Sequence, residues 1–97
     1  MTTHDARKRK FERRPVSLPA IVRVAGRELP AIAENISPGG AFLRVVLPVE
    51  LEEIVASIVL PHGKDLHVRA RVCWRRQEPP GVGVKFDRFL EPRVLAR

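Results

Sequence analysis

Leu66-His67-Val68-Arg69-Ala70-Arg71-Val72-Cys73-Trp74-Arg75 is the stretch that settles the fold class. Leu66, Val68, Ala70, Val72 and Trp74 form an apolar set, and His67, Arg69, Arg71, Cys73 and Arg75 alternate with them. A period of two places one set against a core and the other in water, which is the pattern of a half-buried β-strand. Downstream, Glu78-Pro79-Pro80-Gly81 breaks the alternation, and Val82-Gly83-Val84-Lys85-Phe86 forms a further strand. Upstream, Pro61-His62-Gly63-Lys64-Asp65 makes the turn that leads in. The segment from Val49 to Leu60 is ambiguous, because Glu50, Glu52 and Glu53 favour helix while Ile54 to Leu60 favour a strand. The turn that follows decides for a loop and then a strand.

The same reading extends to the N-terminal half. Ala41 to Leu47 is a strand stopped by Pro48, and Leu29 to Ile36 is an extended segment closed by Ser37-Pro38-Gly39-Gly40. Val16 to Val24 is another strand, in which Pro19 marks an edge or a bulge, and Ala25-Gly26-Arg27 supplies a turn. About six short strands joined by Gly/Pro turns describe an all-β chain whose antiparallel sheet closes into a barrel or sandwich. Pro15 ends any helix in the preceding arm by disfavouring the helical region at Arg14. The expected layout is a disordered N-terminus at 1–6, a basic flexible arm at 7–15, a strand body at 16–88 and a short C-terminal helical turn at 89–97. Ninety-seven residues suit a single domain.

Composition narrows the function classes. With 44% apolar residues but only four Phe and one Trp, the chain builds a modest core and no deep substrate cavity. No apolar run approaches the roughly 18–20 residues of a membrane span, and no apolar h-region follows the first charges. The lone Cys73 excludes an internal disulfide and fits a reducing compartment, so a soluble cytoplasmic domain is expected. The net charge of +7 is uneven, since residues 7–14 hold six of the eighteen Lys/Arg. That concentration implies a polyanionic partner. The other reading of the octet is a solvated tail.

Two elements carry candidate chemistry. Arg7-Lys8-Arg9-Lys10-Phe11-Glu12-Arg13-Arg14 offers guanidinium forks that match phosphates and the O6/N7 edge of guanine. Asn35-Ile36-Ser37-Pro38-Gly39-Gly40 offers an amide, a hydroxyl and bare backbone at a strand junction. Taken alone, each has an ordinary explanation: a solvated or nucleic-acid-binding arm, and a turn whose glycines supply positive φ. His4, His62 and His67 are scattered without metal-ligand spacing, and Cys73 has no base placed beside it by motif. No metal site, cofactor or catalytic group is expected, and Glu50, Glu52 and Glu53 read as a solvated loop.

The joint pattern is more specific. Arg9 and Arg13 before the first strand, with Asn35, Ser37 and Gly40 between the second and third, resemble the PilZ domain family. Gly81-Val82-Gly83-Val84-Lys85-Phe86 and Ala70-Arg71-Val72-Cys73-Trp74 are similar to the family's last two strands. The resemblance spans about Arg7 to Phe89. It implies a six-stranded antiparallel β-barrel that binds cyclic di-GMP on its outer surface beneath the arm. By that resemblance Arg9 and Arg13 contact phosphates and guanine, Asn35 reads a guanine, Ser37 donates to a ligand oxygen, and Gly40 leaves room. Lys8 adds a basic contact, and Arg14 and Gly39 complete the implied ligand-binding set. Further implications are a separate downstream protein partner and a monomer or homodimer. A ligand-independent adaptor is the first alternative. A small nucleic-acid-binding barrel is the second, weakened because Phe11 is the one aromatic outside an expected core strand or its flank.

Overall fold

The computed structural model describes residues 14–90. The chain forms six strands, β1 (Arg14–Val24), β2 (Arg27–Ser37), β3 (Gly40–Arg44), β4 (Glu53–Val59), β5 (Asp65–Gln77) and β6 (Pro80–Phe89). All neighbours are antiparallel, and the order β1-β2-β3-β6-β5-β4 closes on itself through pairing of β4 with β1. Closure gives every strand a neighbour on both sides, which resolves the barrel-or-sandwich choice in favour of the barrel.

Inward-facing residues of every strand fill the interior. Val22, Leu43, Ile58 and Val68 are fully buried, with Ala20, Ala33, Ala56, Ala70, Val82 and Val84 packed around them. The small alanines fit a six-stranded barrel, whose narrow bore cannot hold large side chains from every strand. Arg75 also takes an inward position, and its guanidinium donates to the Leu47 and Leu51 carbonyls at 3.5 and 2.7 Å. It ties down the loop between β3 and β4, whose Leu47 and Leu51 carbonyls lie outside the strands.

Several expectations are refined. β1 starts at Arg14, so Arg14 and Pro15 are already strand, with Arg14 opposite Ile36 and Pro15 opposite Asn35. Pro19 sits where β1 pairs with β2 alone, because pairing with β4 begins at Ala20. The register of β1 against β2 also shifts between Pro15 and Leu18, so the bulge is real and lies just before Pro19. The helical turn expected from residue 89 does not form where the chain is described, since Phe89 ends β6 and its ladder extends by a bond from the Leu90 amide to the His67 carbonyl at 2.8 Å. Antiparallel pairing with β5 satisfies these backbone groups before a helix can begin. The expected disordered N-terminus, the arm as far as Arg13 and the rest of the tail lie outside the described residues.

The largest departure is at Trp74. The register of β5 against β6 slips between Val72 and Trp74, which makes Cys73 the extra residue of a β-bulge. Val72 faces inward opposite Val84, but beyond the bulge Arg75 takes the inward side and Trp74 turns out, 49% exposed. A one-residue slip exchanges the two faces of a strand.

Candidate functional site

The β2–β3 hairpin places the polar turn. Ser37 and Gly40 are paired, with Pro38 and Gly39 forming the loop between them. The Ser37 hydroxyl accepts from the Gly39 amide at 3.3 Å and donates to the Gly40 carbonyl at 3.4 Å. Ser37 is only 9% exposed, so its hydroxyl shapes the turn. Gly40 is required by a close approach rather than by a left-handed backbone: a Cβ there would collide with the Val84 carbonyl oxygen on β6. The left-handed glycines among the described residues are Gly26 and Gly63. The Gly39 carbonyl accepts from the Phe86 amide at 2.8 Å, which fastens the turn to β6.

The register of β1 brings the start of the first strand to this turn. Pro15 lies opposite Asn35 and Arg14 opposite Ile36, so β1 begins beside Asn35 and Ser37. Asn35, Ser37, Gly39 and Gly40 are thus brought together at the point where Arg14 begins the barrel. Lys8, Arg9 and Arg13 lie outside the described residues, as does Phe11.

A second group, absent from the sequence reading, continues the site across the outer face. Asn35 on β2 pairs with Phe42 on β3, Phe42 with Gly83 on β6, and Gly83 with Trp74 on β5. Phe42 faces outward yet is 2% exposed, because Trp74 stacks on it with ring centroids 5.1 Å apart and planes 29° from parallel. The Arg76 guanidinium covers the same ring, with Cζ 4.2 Å from its centroid. Gly81 and Gly83 form the floor beneath these rings: a Cβ at Gly81 would strike Phe42, and one at Gly83 would strike Trp74. Glycine in a strand often marks such an approach, and the Gly81-Val82-Gly83 alternation was the available signal.

Glu34 fixes this wall. It is the extra residue of a bulge on β2 between Ala33 and Asn35, and its carboxylate accepts from Arg44 Nε at 2.7 Å and Arg76 Nη2 at 3.3 Å. Burial is the largest single influence on its carboxyl and raises the pKa. Hydrogen bonds from Arg44 and Arg76, with their two positive charges, together outweigh that influence and hold it below the usual range. The result is a rigid, half-exposed indole beside the Asn35–Gly40 turn, framed by guanidinium groups. Near the same turn, Ile36, Pro38, Leu60, Leu66, Phe86 and Phe89 line an open apolar recess of about 320 Å³ at the barrel mouth.

Trp74 and Phe89, at 49% and 58% exposed, also correct the sequence argument that Phe11 is the one aromatic outside the core. Base stacking therefore has more surface than the sequence indicated. Among the described residues, no group of three or more His, Cys, Asp or Glu is arranged to hold a metal ion, and no helix is long and apolar enough to cross a membrane.

Comparison with known proteins is consistent with this architecture. The family model for the PilZ domain matches residues 7–96. Among solved structures, the Bacillus subtilis inhibitor of motility MotI/DgrA superposes with a TM-score of 0.73 at 18% identity, over 86% of this chain and 44% of that one. This chain thus spans less than half of that protein's length. The PilZ domain of CeSA from a cellulose-synthesizing bacterium superposes with a TM-score of 0.61 at 23% identity, over 78% of this chain and 81% of that one. The curated proteins contain no match. The chain belongs to the PilZ domain family.

Proposed function

We propose that this PilZ domain is a cytoplasmic receptor for cyclic di-GMP that closes its N-terminal arm over the ligand and signals to a separate protein. The observation that carries this reading is the β1–β2 register, which starts the arm opposite Asn35 and Ile36. Arg13 is one residue before Arg14, and Arg9 is within about 20 Å of chain from Pro15 at roughly 3.3 Å per extended residue. That length of chain would let both motif arginines reach the turn without any change in the barrel.

The division of labour follows from the chemistry of each group. Arg9, Arg13 and Lys8 neutralise the two phosphates, and the arginine forks also suit guanine O6 and N7. The Asn35 amide offers both a donor and an acceptor to a guanine edge. Ser37 and Gly39 set the turn, and Gly40 keeps the hairpin flat against β6. Trp74, backed by Phe42 and held by Arg76, presents a face on which a purine can stack. These are binding roles and none of them is catalytic; no cofactor is needed. Neutralising the arm's charge and pinning it to the barrel changes the surface a partner meets, whether the domain acts as monomer or homodimer.

Trp74 is the sole tryptophan, so its emission reports on this face alone. Titration with cyclic di-GMP is expected to change that emission saturably, while GTP at the same concentration does not. Arg9→Ala/Arg13→Ala should raise the midpoint at least tenfold, since each charge-assisted bond contributes about 1.5–3 kcal/mol. Unchanged affinity in that double variant would overturn the assignment. Absence of any response in the folded wild type would leave the ligand-independent adaptor as the better reading.

A further inference from the structure

On the outer face of β5 and β6, two pairs of cations stand directly opposite each other across the strands. Arg69 on β5 faces Arg88 on β6, and Arg71 faces Lys85, with Asp87 the extra residue of a bulge between the two pairs. Like charges in such positions destabilise a sheet, so an arrangement of this kind needs a reason other than folding. The side chains of Arg69, Lys85 and Arg88 form no ion pair or hydrogen bond among the described residues. Arg71 has only Glu53, at 3.7 Å with both side chains about half exposed, a pair of little strength. Lys85 pairs with Gly40, so the array begins where the polar turn ends.

We infer that this four-cation face is a docking surface for an extended acidic segment of a partner protein. The spacing suits that occupant. Cations about 5 Å apart across the strands, and about 7 Å apart along β5, match carboxylates at alternate positions of an extended chain lying along β5. Guanidinium forks engage such carboxylates bidentately. A nucleic acid fits less well, for the array is two strands wide, with the exposed acid Asp87 inside it on β6 and Glu53 opposite Arg71 on β4. Those acids would repel a phosphate chain, whose charges are obligatory at every step, whereas a protein segment carries carboxylates opposite the cations and neutral or basic residues opposite the acids. The inference does not depend on cyclic di-GMP.

The test uses the full chain and its Arg69→Gln/Arg88→Gln variant in about 0.15 M salt. The probes are a fluorescent peptide of alternating Glu and Ser and an oligothymidylate of equal charge. The wild type is expected to prefer the peptide, and the variant to lose about fivefold or more of its affinity for it. The variant should also melt no lower than the wild type, because a repulsive pair has been removed. Arg88→Glu, which sets opposite charges across the strands, should melt higher and likewise lose the peptide. Undiminished peptide binding in the double variant would assign all binding to the arm and overturn the inference. So would tighter binding of the oligothymidylate that falls with the same substitutions, or a variant melting several degrees lower.

Discussion

Two residues decide whether the polar turn is structural, functional or both. Gly40 faces the Val84 carbonyl so closely that no side chain fits, and the obstacle is backbone, which cannot rotate away. Gly40→Ala is expected to part β3 from β6 and cost about 1–3 kcal/mol in urea unfolding. A variant of unchanged stability would mean that the glycine serves the ligand alone. Glu34 makes a different test. Its carboxyl pKa is lower in the folded protein than in the unfolded chain, where glutamate titrates near ~4.3. The stability it contributes is therefore fully present above the unfolded value and is lost as pH falls through the folded value beneath it. Glu34→Gln should flatten stability against pH in that acidic window and leave the neutral-side slope alone. An unaltered acid limb would show that Arg44 and Arg76 do not hold the carboxylate in solution.

Among the elements, the β1–β2 hairpin offers a clean check of turn chemistry. Ala25 and Gly26 both have positive φ, at 50° and 77°, as the two-residue turn favoured by twisted hairpins requires. Glycine adopts this conformation freely and alanine does not. Ala25→Asn should therefore raise stability by about 0.5–1 kcal/mol, read from the urea midpoint, and a decrease would contradict the turn assignment. The strands themselves were legible because their signals are local: period-two alternation and Gly/Pro punctuation placed all six. The bulge at Cys73 was not, because Val72, Cys73 and Trp74 read as unbroken alternation and only the partner strand reveals the slip. Trp74 was consequently assigned to the core, and Phe42 was not recognised as an outward residue covered by it. The Asn35-x-Ser37-x-x-Gly40 turn could be read from spacing, since its residues are neighbours in sequence. The wall beside it draws Glu34, Phe42, Trp74 and Arg76 from three strands, and Arg76 reaches Glu34 across 42 positions of sequence. No linear pattern records that meeting.

At the scale of the whole molecule, closure makes the barrel self-sufficient. Every strand has two neighbours, and among the described residues the fully buried core draws on β1 through β6 from Ala20 onward, with Leu18 packed partly buried against it. Removing residues 1–12 should accordingly leave a cooperative melt within a few degrees of the full chain while abolishing cyclic di-GMP binding. A truncated protein that binds undiminished would shift the site wholly onto the turn and the Trp74 wall. The measurement that bears most directly on the receptor assignment is calorimetric titration of the full chain with cyclic di-GMP, with GTP and a short DNA duplex as controls. The account predicts saturable binding of cyclic di-GMP alone, at a defined stoichiometry. A folded protein that gives no heat with cyclic di-GMP, or that binds the duplex in its place, would contradict it.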